Sequence, residues 1–199
     1  MADRIILASG SDIRQRLLRN AGVEFGVVVP RVDEETVKAS LLSEGAPPRD
    51  VADALAELKA RRVALQNPDA LVLGCDQVLA HGDAILSKPE SVEDARRQLS
   101  QLRAKRHSLF SAAVIYEDGA PVWRHVGQVR LLMRDFSDAY LDDYLARNWE
   151  SIRHSVGGYK LEEEGVRLFS RIEGDYFTVL GLPLIEVLSY LTLRGTLRS

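Results

Sequence analysis

Residues 6–22, ILASGSDIRQRLLRNAG, decide the fold class of this chain. A short apolar run reaches Ser9-Gly10-Ser11 and passes straight into a segment of helical spacing that stops at Gly22, a natural C-terminal stop. That is a strand–turn–helix unit. Small residues at such a junction let backbone N–H groups approach a ligand, and the helix N-terminus adds partial positive charge, so the turn is suited to phosphate. The same residues also read as an ordinary βα turn with Ser11 as N-cap. The spacing is neither G-x-G-x-x-G nor a Walker loop.

Outward from this unit, strand and helix signals alternate. Residues 25–29, FGVVV, read as a second strand closed by Pro30, and 44–50, EGAPPRD, as a linker whose Asp50 caps a helix over about 51–66. Residues 70–80, ALVLGCDQVLA, form a buried β-rich run with a break expected at Gly74-Cys75-Asp76. HGDA at 81–84 suggests a hairpin turn, and Ser91 with Asp94 a capping box opening a helix to about Leu102. A long antiparallel pair follows, 107–116 and 121–133, joined by EDGA, with Val129, Leu131 and Met133 alternating against Arg130 and Arg134. Ser137 caps another helix, and 181–195 hold a last one, with Pro183 near its first turn and Gly195 at its end. Mixed βα units and a long hairpin predict a mixed α/β sheet with helices on its faces, in a single domain over 1–199.

Bulk properties narrow the class. With 46% hydrophobic and 28% charged residues, the composition is that of a soluble globular protein. A net charge of −3 argues against a stable nucleic-acid partner. No apolar run reaches the roughly 18 residues of a membrane span, and MADRIILASG lacks the apolar region of a signal peptide. The single Cys75 fits a reducing compartment, so a cytoplasmic location is expected. Four His and one Cys leave few ligands for zinc, and nothing marks a nucleophile elbow.

Charged residues in apolar settings are the candidates for chemistry. Glu34 lies in the acidic run after the second strand. Lys59 sits at the edge of the stripe Val51, Leu55, Leu58 and Leu65, where it reaches into a cleft or snorkels to water. A break at Asp76 would put its carboxylate at a strand's C-terminal end, where ligands bind in α/β sheets; a loop Asp bonded to local backbone is the alternative. Lys88-Pro89 places a cation on a rigid turn, and His107 reads as structural. Two carboxylates, two lysines and an Arg-bearing turn suggest metal-assisted phosphoryl chemistry, because carboxylate oxygens suit Mg²⁺ or Mn²⁺ while Lys and Arg neutralise phosphate.

In their order and spacing, LASGSDIRQRLL, VDE at 32–34, LKA with Lys59, GCDQV, SKPES, GGYKLEEEG and GLPL resemble the Maf-like nucleoside triphosphate pyrophosphatases. The resemblance runs from Ile5 to about Leu193. It implies a two-lobed mixed β-sheet with flanking helices around a central cleft, akin to the inosine-triphosphatase fold, and a homodimer. It implies hydrolysis of a nucleoside triphosphate to the monophosphate and pyrophosphate with a divalent metal cation, Mg²⁺ or Mn²⁺. Asp76 matches the family's catalytic carboxylate, Glu34 joins it as second carboxylate at the metal, and Ser9, Ser11, Arg14, Lys59 and Lys88 match substrate-binding positions. Three departures stand out: Asp12 where the family usually has Pro, Gln15 where it has a second Arg, and Ser87 where it has Gly.

Ile13, Gln77 and Glu162 fall at the family's specificity positions. Gln77 with Glu162 resembles the subfamily acting on 7-methyl-GTP, since a carboxylate can accept from both guanine N1–H and N2–H₂. A dTTP/UTP enzyme of the same fold and a non-catalytic regulator of cell division are the alternatives.

Overall fold

The computed structural model describes residues 4–198. In chain order it contains β1 (Ile5–Ala8), α1 (Asp12–Asn20), β2 (Gly26–Val27), α2 (Glu34–Ser43), α3 (Pro48–Ala64), β3 (Leu71–His81), β4 (Ala84–Leu86) and α4 (Val92–Leu102). There follow β5 (Arg106–Glu117), β6 (Ala120–Met133), α5 (Asp138–Ile152), β7 (Phe169–Glu173), α6 (Tyr176–Val179) and α7 (Leu184–Leu193). The strands form one mixed sheet in the order β2-β1-β3-β5-β6-β7, with β4 also pairing β3. β1 runs parallel to β2 and β3, while β3, β5, β6 and β7 pair antiparallel. This is the mixed α/β architecture that the sequence predicts. Among the described residues no helix is long and apolar enough to cross a membrane.

Several elements form as the local chemistry dictates. Ser91 Oγ accepts from the Asp94 N–H and Ser137 Oγ from the Tyr140 N–H, capping α4 and α5. Gly22 and Gly195 take φ of +72° and +83° just past α1 and α7, a conformation open to a residue without Cβ. Other expectations need correction. α3 starts at Pro48, so Asp50 lies in its first turn and Pro47 is the N-cap; α2, α6 and β7 had no separate sequence signal. The second strand shrinks to Gly26–Val27. Ser11 occupies the N-cap of α1 without a side-chain capping bond.

The main correction concerns β3, which does not break at Gly74-Cys75-Asp76 but continues to His81. Gly74 is there for close approach: a Cβ on it would stand 2.3 Å from the Ala56 carbonyl oxygen and 2.6 Å from the Ala60 nitrogen of α3. Asp76 is therefore a mid-strand residue.

Strand alternation separates three apolar cores. On one face, Val51, Leu55 and Val63 of α3 pack on Ile6, Val72, Val78 and Val114. The other face carries two cores at opposite ends of the long strands: Leu71 and Leu73 under α1 and α7, and Leu79 and Leu109 under α4 and α5. Between them lies a polar belt, where Gln77 Nε2 donates to Ser111 Oγ at 2.9 Å and shares its hydrogens with the Val179 and Thr178 carbonyls at 2.9 and 3.2 Å. Ser111 Oγ itself donates to the Thr178 carbonyl at 2.7 Å. The belt divides the molecule into two lobes joined by continuous strands.

Candidate active site

β1 ends at Ala8, opposite Gly74, and β4 joins the same edge of β3 only from Leu79. Among the described residues the segment between has no strand neighbour on that side, and the chain leaving β1 turns there through Ser9-Gly10-Ser11. Ligands of α/β sheets bind where strands end. The crevice here is made by the end of β1, and β3 passes along it.

Arg14 fills part of this gap. It is buried, and its Nη1 donates to the Cys75 carbonyl at 3.1 Å, a strand acceptor with no β1 partner. Nη1 also reaches Ser9 Oγ at 3.3 Å, and Nε donates to the Gly181 carbonyl at 2.7 Å. Ser9 Oγ accepts from the Ser11 N–H at 3.2 Å, so turn, helix α1 and the 181–184 segment are tied together. The resemblance implies Arg14 and Ser9 as substrate-binding residues; in this structure both also tie the turn to β3 and to the 181–184 segment.

Across the gap three charged groups meet. Lys59 Nζ lies 2.6 Å from Asp76 Oδ1 and 2.8 Å from Glu34 Oε2. Lys59 and Asp76 are each 7% exposed, whereas the Glu34 side chain is 44% exposed. α3 delivers Lys59 because Ala56 and Ala60 lie flat on Gly74; α2 delivers Glu34 from its first turn, behind an Asp33 side chain that caps Thr36. Burial pushes the Asp76 carboxyl above the ordinary aspartate range, while the Lys59 and Arg14 charges pull the other way. A carboxylate so raised and still ion-paired is a stronger proton acceptor than one in water.

The other site residues fall apart from this triad. Lys88 is exposed after β4 and makes no hydrogen bond or ion pair among the described residues. Its neighbour Ser87 bonds Lys38 Nζ of α2, a cation the sequence reading did not single out. Gln77 points to the opposite face from Asp76, into the polar belt.

Ile13 is half-buried against the core under α1. Glu162 lies across from α1, with Oε1 3.7 Å from Arg16 Nη2. Its neighbours turn away: Glu163 bonds Ser151 at 2.6 Å and Lys160 at 3.1 Å, and Glu164 takes a paired contact from Arg147. Arg16 stands one turn after Ile13 on α1 and is not among the candidate site residues read from the sequence.

The chain as a whole is similar to known proteins. A profile described as Maf-like protein matches residues 4–193. The chain belongs to the Maf-like family. A Maf-like relative from Ruegeria pomeroyi, named nucleoside triphosphate pyrophosphatase, is 66% identical over 193 residues, 97% of each chain. One of the same name from Caulobacter vibrioides is 51% identical over 97% of this chain and 96% of its own. A Brucella abortus protein named 7-methyl-GTP pyrophosphatase is 46% identical over 96% of each chain.

Among the described residues no group of three or more His, Cys, Asp or Glu gathers. Glu34 and Asp76 are two hard carboxylates sharing one ammonium. Such a pair suits Mg²⁺ or Mn²⁺ arriving with phosphate oxygens, since Mg²⁺ is commonly held by one or two carboxylates plus substrate.

Proposed function

We propose that this protein is a nucleoside triphosphate pyrophosphatase that cleaves between the α- and β-phosphates of a guanine-type, 7-methyl-GTP-like nucleotide. The observation that carries this is the buried Asp76–Lys59 pair, joined by the partly exposed Glu34, beside the open end of β1, together with relatives named nucleoside triphosphate pyrophosphatase. Asp76 accepts the proton of the attacking water. Lys59 holds Asp76 in place and is within reach of phosphate charge. Ser11 and the first turn of α1 present backbone N–H groups to the triphosphate, and Arg14 keeps that turn against β3. Lys88 approaches the phosphates from the segment after β4. Glu34 and Asp76 would hold a divalent cation, which neutralises the triphosphate charge when bound.

For the base, Glu162 accepts from guanine N1–H and N2–H₂, and Ile13 packs beside it. Gln77 acts by holding the 178–181 segment. The relative named 7-methyl-GTP pyrophosphatase supports this assignment. A cytoplasmic homodimer belongs to the same proposal and is checked by sedimentation and fractionation.

The decisive assay measures pyrophosphate release from 7-methyl-GTP, GTP, dTTP and UTP with Mg²⁺, with Mn²⁺ and with chelator. Guanine-type substrates are expected to lead and chelator to abolish turnover. Asp76→Asn should lower kcat by about 10²-fold or more while the protein stays folded, because general-base contributions run at about 10²–10⁴. A wild-type preference for dTTP or UTP removes the base assignment, and near wild-type turnover by folded Asp76→Asn removes Asp76 from the chemistry.

A further inference from the structure

Three arginines stand on one helix, and each does something different. Arg14 is buried on carbonyl groups of β3 and the 181–184 segment, and Arg19 donates to Gln15 Oε1 at 2.8 Å. Arg16 is different: its side chain is 58% exposed, and the one ion pair it makes among the described residues is with Glu162. Glu162 is in turn only 15% exposed, while the acids beside it are hydrogen-bonded by Ser151, Lys160, Arg147 and Asn148, with the Arg16 charge also felt at Glu163. Arg16 also shares its side of α1 with Ile13. A loosely placed guanidinium thus stands behind the carboxylate assigned to the base.

We infer that Arg16 is a positioning residue for base selectivity, setting through Glu162 how strongly the site prefers a cationic purine to a neutral one. The inference rests on the reading of Glu162 as the base-recognising group. Guanine and N7-methylguanine present the same N1–H and N2–H₂ donors, so hydrogen bonding alone does not separate them. Methylation at N7 places a positive charge on the ring. A bare carboxylate attracts that cation more than neutral guanine, and a guanidinium 3.7 Å away cancels part of the difference. Arg16 therefore broadens the site toward neutral guanine while holding Glu162 toward α1.

The test reads the ratio of kcat/KM for 7-methyl-GTP over GTP by pyrophosphate release. It compares the wild type with Arg16→Gln, Arg16→Lys, Glu162→Gln and the Arg16→Gln/Glu162→Gln double variant. Arg16→Gln should raise the ratio about two- to fivefold, the range set by a partly exposed ion pair. Arg16→Lys should return it toward wild type. In the Glu162→Gln background the Arg16 exchange should have no effect. A ratio unmoved by Arg16→Gln but moved by Glu162→Gln overturns the inference and leaves the base reading intact. An Arg16→Gln effect that persists without the Glu162 carboxylate overturns the route through Glu162. A ratio unmoved by Glu162→Gln overturns both.

Discussion

Replacing Lys59 with alanine takes away the ammonium that Glu34 and Asp76 both contact, and leaves a 7%-exposed aspartate without its partner. Leaving a buried group unpaired costs about 1–3 kcal/mol, with the exposed Glu34 and proton uptake by Asp76 keeping it within that range. Lys59→Ala should therefore lower the melting temperature and abolish most turnover, whereas Lys88→Ala should leave the melting temperature unchanged and weaken KM alone. Thermal melts beside steady-state kinetics check the contrast; equal melting temperatures for both variants would mean that Lys59 is not a structural cation. The two lysines read alike in sequence, both being expected to act on phosphate. Burial separates them, and burial depends on which helix face meets Gly74, a tertiary fact. The charged positions themselves were legible because charge inside apolar runs is costly unless it is paired or used.

At the scale of elements, Gly74 carries the largest consequence. An alanine there puts a methyl group 2.3 Å from a helix carbonyl, so α3 must move outward. Overpacking of this kind costs about 1–3 kcal/mol or more. Because α3 delivers Lys59, Gly74→Ala should depress kcat as well as stability, although Gly74 touches no substrate; calorimetry and kinetics on the one variant test both. Sequence reading took the same glycine for a strand break, since glycine is depleted in strands and close backbone approach leaves no periodic trace. Elements with local signatures were readable: the Ser91 and Ser137 caps, the hairpin turns and the glycine stops. β7 and α6 were not, because β7 is specified by pairing with the end of β6 and α6 is held by Asp175 and the Gln77–Ser111 belt.

For the whole molecule, a buried histidine links folding to pH. His107 lies in the core under α4 and α5, with Nε2 2.8 Å from Tyr159 Oη and Nδ1 without a hydrogen-bond partner among the described residues. Burial pushes its pKa down to about 4 from 6.5. As pH falls, the unfolded chain binds this proton before the folded one, so stability present above pH 6.5 is lost toward pH 4. Urea midpoints at pH 7.5 and 5 should show the wild type losing about 2 kcal/mol more than His107→Gln. Parallel losses in the two proteins would rule His107 out as the group responsible. The α/β class and the order of the longer strands and helices were legible from alternating periods. The two-lobed form came from the resemblance, because lobes arise where polar residues of three distant segments meet. β3, β5 and β6 run unbroken past that belt, with 11, 12 and 14 residues, and this has a mechanical result. A hinge needs a flexible place to bend, and three hydrogen-bonded strands crossing the waist supply none. Any rearrangement around the crevice would then fall to segments outside those strands, such as α2, rather than to a bend of the sheet itself.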